Sequence, residues 1–321
     1  MMWSSETRRT FPLSSVKPLE GMTPYRDYCL EATHESLRKS ALRREESPVT
    51  GSRLEAFGEI AGLEYLRCPD TDSLFLASLP DTDTWGDLLK DVNRHRQSPT
   101  TFHAEIAPSR RENVHLPKLD WIQSVLVLEG LHTPSLVEAS VPSSEFLPIL
   151  RESRIFSEVV ALDETELAGA PKLSGQIDAA ALLESLDRAH DPALLVKVVA
   201  GYLRPGGLIF VTSLVSSGFD FALLGKRNLY LFPPDRTNCF SLTGLEVLLA
   251  RAGFELLEVS TPGVLDVEIV RAHVERDPSI PLSVFERQLM ARGGEVQGSF
   301  QTFLQQNNMS SFARLVGRKK R

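Results

Sequence analysis

The sequence has few cysteines and no long hydrophobic run, and each shortage excludes a class of protein. Its 321 residues include 3 cysteines, an odd number at wide spacing, which argues against a disulfide framework. No stretch supplies the roughly 20 apolar residues that a membrane helix requires. No apolar segment follows Arg8 and Arg9, so we expect no secretory signal peptide. These shortages predict a cytoplasmic, reducing setting and no membrane span.

Positive charge is also scarce. The chain has 35 Lys and Arg against 42 Asp and Glu, a formal net charge of -7. General nucleic-acid binders carry a basic face, so we expect no nucleic-acid partner. The hydrophobic content of 42% and charged content of 24% are typical of a globular protein.

A helix, breaker and strand pattern occurs twice in the second half of the chain. A predicted helix over 192–203 leads through R-P-G-G at 204–207 into an apolar strand over 208–214. A second helix ends at Gly253, and a strand over 254–259 follows. This order predicts an open α/β sheet. We also predict helices over 25–44, 119–131 and 144–152, strands over 135–141, 158–162 and 177–183, and an antiparallel edge strand over 310–317.

The L-R-P-G-G and R-A-G-F-E segments around these strands strongly resemble the catalytic domain of class I S-adenosylmethionine-dependent methyltransferases. The resemblance extends from about Ser47 to Lys319, and T-P-G-V-L-D-V at 261–267 resembles a branch with an N-terminal zinc ribbon. It implies a Rossmann-like open, mostly parallel sheet with flanking helices and a small N-terminal module. Only Glu164 to Gln176 separate the second strand from the next one, so the third-strand region is predicted to be shortened.

Three parts follow along the chain. Residues 1–46 are interpreted as a leader and basic helix, with the first 22 residues flexible. Residues 47–113 are interpreted as a degenerate zinc-ribbon-like module and connector, the polar stretch 81–113 wrapping the surface. Residues 114–321 are interpreted as a methyltransferase-like domain with a C-terminal extension.

The zinc ribbon of this branch uses four cysteines. In the equivalent stretches here, Ser47, Thr50 and Thr71 stand at three of those positions and Cys68 at the fourth. A structural zinc ion needs four ligands, and a single thiolate does not hold it. We therefore predict no zinc and no other metal site.

The family's cofactor loop has the form (D/E)-x-G-x-G-x-G. Glu138 matches its acidic position, but Ser140, Pro142 and Ser144 stand where glycines belong. Proline fixes φ near −65° and lacks an N–H. Asp163 matches the carboxylate that would bind the ribose hydroxyls, with a helix cap or turn residue as the alternative. This degenerate loop predicts that no cofactor is bound.

The family's E-x-x-E-H motif is also incomplete. Glu184 is in place, Asp187 and Arg188 replace the acid and histidine, and His190 follows at a position expected to be exposed. Arg236 stands at the histidine of a P-P-(D/E)-H motif. Arginine stays protonated in proteins, so it cannot serve as a general base.

The resemblance leaves three hypotheses. The first is a pseudoenzyme, a non-catalytic interaction or structural subunit that binds a protein partner, either an active relative or a larger assembly. The alternative is a divergent but active enzyme that binds S-adenosylmethionine and uses Glu184, Asp187 and His190. The third is a binder of another small ligand. Candidate partner surfaces are 25–44 and 219–232, with packing inside the chain as the alternative for both.

Overall fold

The structure is a computed structural model that describes residues 11–140, 145–163 and 175–321. Its helices are α1 (Leu19–Lys39), α2 (Thr82–Arg96), α3 (Phe102–Arg110), α4 (Leu116–Leu128), α5 (Leu147–Glu152), α6 (Pro192–Tyr202), α7 (Phe219–Leu224), α8 (Leu242–Arg251), α9 (Asp266–Arg276), α10 (Val284–Ala291) and α11 (Gly294–Gln306). Its strands are β1 (Leu42–Arg43), β2 (Glu55–Ile60), β3 (Leu63–Arg67), β4 (Leu74–Leu76), β5 (Ser78–Leu79), β6 (Ser135–Ser140), β7 (Glu158–Asp163), β8 (Ile177–Leu183), β9 (Leu203–Leu214), β10 (Asn238–Cys239), β11 (Phe254–Ser260) and β12 (Phe312–Lys319).

A six-stranded sheet forms the centre of the molecule. Its strand order is β11-β12-β9-β8-β6-β7. The strands β7, β6, β8 and β9 are parallel, and β12 runs antiparallel to both of its neighbours. The predicted fold class, a Rossmann-like and mostly parallel sheet with flanking helices, is confirmed.

The position predicted for the last strand is wrong. The sequence indicated an antiparallel edge strand over 310–317, whereas β12 lies between β9 and β11. Its residues Ala313, Leu315 and Val316 are fully buried. The last strand is therefore interior in the strand order, because its backbone pairs with β9 on one edge and with β11 on the other.

The shortened third-strand region falls mostly outside the described residues. Within the described part, no strand pairs with the outer edge of β7. The described residues continue from Gly175, two residues before β8 begins.

Local signals explain why the second-half elements end where they do. The Asp191 carboxylate caps α6 by accepting from the Leu194 N–H at 2.9 Å, and Pro192 fits the first helical turn. Gly206, inside β9, has φ of 80°, a conformation that favours glycine. The apolar run of β8 is almost completely buried, as expected for a central parallel strand.

The stretch 81–113 differs from its predicted role as a surface wrap. It forms α2 and α3, and the apolar face of α2 is buried through Trp85, Leu88, Leu89 and Val92. These residues are spaced three or four apart, the helical period. The polar composition of the stretch hid this face, because the exposed side of α2 is highly charged.

The N-terminal end is more ordered than predicted. Helix α1 begins at Leu19 instead of Tyr25. Leu13 and Val16, expected in a flexible leader, are buried. The rest of that leader, residues 1–10, lies outside the described residues.

A second sheet joins the N-terminal module to the main domain. Its order is β10-β4-β3-β2, so β10, from far along the chain, completes a sheet of early strands. The rings of Phe75 and Phe240 meet edge to face at 5.9 Å, and one buried cluster continues into the large sheet. No helix within 11–140, 145–163 and 175–321 is long and apolar enough to cross a membrane.

Candidate functional site

A cavity lies at the carboxyl ends of β6 and β8. Here the chain leaves β6 toward β7 on one side and β8 toward β9 on the other, which is where open α/β sheets bind ligands. Its volume is about 110 Å³, below the roughly 300 Å³ at which pockets for drug-sized ligands begin. In this conformation the described residues therefore leave little room for a nucleoside-sized group.

The residues predicted to hold a cofactor lie at the expected strand ends. Glu138 on β6 lines the cavity and is 2% exposed. Ser140, the last residue of β6, is in register with Asp163, the last residue of β7. Pro142 and Ser144 lie outside the described residues.

Glu184 follows β8 and is held by two buried cations. Lys118 Nζ lies 2.6 Å from Glu184 Oε1, and Arg236 Nη2 lies 3.2 Å from Oε2. Burial raises the pKa of Glu184, but these two charges outweigh it and hold the pKa well below its usual value. Glu184 is therefore an ionised, paired carboxylate.

Asp187 contacts the other side of Arg236. Arg236 Nη1 lies 2.9 Å from Asp187 Oδ2, and the Ser213 hydroxyl and Leu214 N–H also donate to this carboxylate. Burial raises the pKa of Asp187 to about 6, against the opposing effect of Arg236. Such a pKa suits proton transfer, but Asp187 is 0% exposed.

The His190 side chain lies against the segment that leads into α2. Its Nε2 is 2.9 Å from Pro80 O, and its ring centroid is 6.1 Å from that of Trp85. The ring is half-buried, so the expected solvent exposure is wrong. His190 thus packs beside the N-terminal part.

Arg188 also forms a buried ion pair. Its Nε lies 3.1 Å from Asp235 Oδ1, and the Tyr25 hydroxyl lies 3.4 Å from Asp235 Oδ2. Burial raises the pKa of Asp235, but Arg188 and nearby cations lower it overall. Both arginines at the family's histidine positions, Arg188 and Arg236, are therefore paired with carboxylates.

Sequence reasoning missed three basic side chains that surround Glu145. Arg96 at the end of α2, Arg110 at the end of α3 and His115 before α4 all approach its carboxylate. They lie in or next to the stretch interpreted as a surface wrap. The helical spacing of Trp85, Leu88, Leu89 and Val92 was the signal that would have placed Arg96 on an inward-facing helix.

The four positions equivalent to the zinc-ribbon cysteines also come together. Thr50 Oγ1 lies 3.4 Å from Cys68 Sγ, and the Thr71 hydroxyl donates to Ser73. Burial raises the pKa of Cys68, but hydrogen-bonding groups around the thiol, Ser47 first, outweigh burial and lower the pKa overall. Within the described ranges, no group of three or more His, Cys, Asp or Glu is placed to hold a metal ion.

Comparisons with known proteins identify relatives. A family model described as a methyltransferase domain matches residues 89–259, just over half of the chain. The ubiquinone biosynthesis O-methyltransferase of Marinobacter nauticus is 29% identical over 115 residues, covering 35% of this chain and 48% of that protein. The chain thus spans about half the length of that relative.

Solved structures are also similar. One is a Galdieria sulphuraria protein assigned as a sarcosine dimethylglycine methyltransferase, with a TM-score of 0.40 and 14% identity over 64% of this chain and 86% of that one. Another is the complex of the Haloferax volcanii Trm112 methyltransferase activator with a methyltransferase, with a TM-score of 0.42, 13% identity, 68% of this chain and 96% of that one.

Proposed function

This chain belongs to the methyltransferase domain family, and we propose that it acts as a non-catalytic interaction or structural subunit that has lost cofactor binding. The observation that carries the proposal is the pairing of Glu184 and Asp187 with Lys118 and Arg236. The charges of both carboxylates are thus compensated by side chains of the protein itself and not by a substrate.

The arginines strengthen this argument. Arg236 is 8% exposed and bridges Glu184 and Asp187. A guanidinium does not release its proton in proteins, so neither Arg188 nor Arg236 supplies the general base of the family motifs. The small volume of the cavity supports the same conclusion.

The test is calorimetric titration of the purified protein with S-adenosylmethionine and S-adenosylhomocysteine. We expect no heat of binding and no thermal shift at millimolar ligand. Micromolar binding of either compound would overturn the loss of cofactor binding. A methyltransferase that binds its donor under the same conditions serves as the positive control.

The alternative is a divergent but active S-adenosylmethionine-dependent methyltransferase. It is supported by the adjacent ends of β6 and β7. Ser140 is in register with Asp163 there, and Glu138 lies two residues before Ser140 on β6. In that case Glu184, Asp187 and His190 are the candidates for catalysis or substrate positioning. Asp163→Asn would then weaken donor binding at least tenfold, whereas Asp191→Asn, at the cap of α6, would not.

A non-catalytic role requires a partner. We propose a protein partner, an active relative or a larger assembly, in the cytoplasm, and no nucleic acid. In the two segments singled out in the sequence, Tyr25, Tyr230, Leu231 and Phe232 are buried, whereas Leu42 is exposed. A further group of exposed apolar side chains, Val284, Phe285, Val296 and Phe303, lies on α10 and α11 and supports this proposal.

A further inference from the structure

Three basic side chains, two arginines and a histidine, meet at a single carboxylate in the wall of the cavity. Arg96 Nη2 lies 2.8 Å from Glu145 Oε1. Arg110 Nε and His115 Nε2 lie 3.6 Å and 3.3 Å from Oε2. The three come from α2, α3 and the turn before α4, so tertiary packing alone brings them together.

The burial of these groups is unequal. The side chains of Arg96, Arg110 and His115 are 16%, 15% and 10% exposed, whereas the Glu145 side chain is 43% exposed. The three basic side chains are thus fixed in the protein, and the carboxylate reaches them from the solvent side. A small molecule approaching from solvent would meet them from that same side.

Arg96 and Arg110 also have more donors than Glu145 uses. Among the described residues, the buried Nε atoms of both arginines have no hydrogen-bond acceptor. Unused buried donors are uncommon in native proteins and call for an explanation. A carboxylate that approached these donors more closely than Glu145 does would accept their hydrogen bonds.

We propose that Arg96, Arg110 and His115 form a binding site for the carboxylate group of a small molecule, and that Glu145 occupies this site as an internal competitor. The guanidinium of Arg96 has the planar donor geometry that matches a carboxylate. A displaced Glu145 turns to water, where its charge is well solvated. The rest of the same cavity, lined by residues that include Asn93 and Lys118, receives the remainder of the ligand.

Charge balance favours a monocarboxylate over a phosphate. A monoanion replaces Glu145 one for one and leaves the local charge unchanged. A dianion adds a charge beside Glu138 and Glu184, which line the same cavity. This inference goes beyond the proposed function, because a chain that does not bind S-adenosylmethionine retains Arg96, Arg110 and His115.

The experiment replaces the internal carboxylate by a free one. Thermal unfolding of Glu145→Ala is measured with increasing sodium acetate, with acetamide as the uncharged isostere and sodium chloride at equal ionic strength. We expect a saturable rise in Tm of about 2–4 °C with acetate alone. Wild type, whose site is already filled, should respond less than Glu145→Ala.

Two further variants keep the result interpretable. Glu145→Ala with Arg96→Gln should lose the acetate response, and Glu152→Ala, at the exposed pair with Arg111, should never show one. If Glu145→Ala folds poorly, its refolding yield in acetate against acetamide replaces Tm as the readout. An equal response to acetate, acetamide and chloride would overturn the proposal.

Discussion

Arg236 connects the two carboxylates at the end of β8. It is the shared partner of Glu184 and Asp187, and its backbone carbonyl accepts from the Tyr65 hydroxyl at 2.8 Å. Removing one partner of a buried ion pair leaves an uncompensated charge, which is much costlier than losing a surface pair. Arg236 therefore stabilises the fold.

We predict that Arg236→Met lowers the free energy of unfolding by about 3–5 kcal/mol. Adding Asp187→Asn should recover part of this loss, because it removes one of the unpaired charges. Denaturant unfolding measures both changes, with Arg292→Met on the surface as the control. An Arg236→Met loss no larger than that of the control contradicts the structural role.

Another single residue, His103, makes the stability of the fold depend on pH. Burial, with a contribution from the Arg96 charge, lowers the pKa of His103 to about 3, and its ring meets that of Tyr25 at 4.5 Å. The fold thus favours neutral His103, so its contribution to stability is complete above the unfolded pKa of about 6.5. That contribution decreases as the pH falls from there toward 3.

We predict that His103→Phe reduces the loss of stability between pH 7.5 and pH 5 by about 2 kcal/mol. Unfolding free energies measured at the two pH values give the difference. His132→Phe, on an exposed loop, should leave the wild-type pH dependence unchanged. Parallel pH dependences of wild type and His103→Phe would show that the ring is not held neutral.

Among the elements, two tight turns of the N-terminal module have the same form. The Gly51 N–H donates to Ser47 O at 2.8 Å, and the Asp72 N–H donates to Cys68 O at 2.9 Å. Gly51 and Asp72 both have positive φ, 81° and 58°. The hydroxyl groups and the one thiol of the two turns face each other. This arrangement is close to that of a four-thiolate metal site in which three thiolates are replaced by hydroxyl groups.

We predict that the triple variant Ser47→Cys, Thr50→Cys and Thr71→Cys binds one Zn²⁺ per chain and gains thermal stability. The 3.4 Å between Thr50 Oγ1 and Cys68 Sγ approaches the ~3.8 Å between thiolates bound tetrahedrally at about 2.3 Å from zinc. Metal analysis and the spectrum of the Co²⁺ form test the binding. Adding Cys68→Ser should weaken it strongly, and a triple variant without stoichiometric zinc would contradict the prediction.

At the scale of the whole molecule, the C-terminal helices expose an apolar surface. The ring of Phe300 contacts the rings of Phe219, Phe285 and Phe303 at centroid distances of 5.1 to 6.0 Å. The exposed members of this surface are Val284, Phe285, Val296, Phe303 and Met309. Contiguous exposed apolar patches mark interaction surfaces, which supports a protein partner.

We predict that the isolated chain self-associates through this surface as its concentration rises. Phe285→Ser with Phe303→Ser should keep the protein monomeric in sedimentation velocity without lowering Tm. Val127→Ser with Leu128→Ser, a pair of similar exposure on α4, should associate as wild type does. A wild-type chain that stays monomeric at high concentration would contradict this prediction.

The sequence by itself determined most of the central sheet. Apolar runs and helix-ending signals act locally, so β8, α6 and the end of α8 lie within a residue or two of their predicted bounds. The predicted start at 208 of the strand after α6 was wrong, because β9 begins at Leu203 and includes R-P-G-G at 204–207. The same local signals located Glu184 and Asp187 at the end of β8. The roles proposed for these two residues, and for Glu138, Ser140 and Asp163, stay predictions.

Only the tertiary structure decided which charges meet. Arg96, Arg110, Lys118 and Arg236 are far from their carboxylate partners in sequence, and an ion pair leaves no periodic pattern in the chain. The interior position of β12 had the same cause, since strand order depends on which surfaces are covered once the chain has folded. Local backbone preferences can be read from a sequence, whereas long-range electrostatic and packing contacts exist only after the chain has closed on itself.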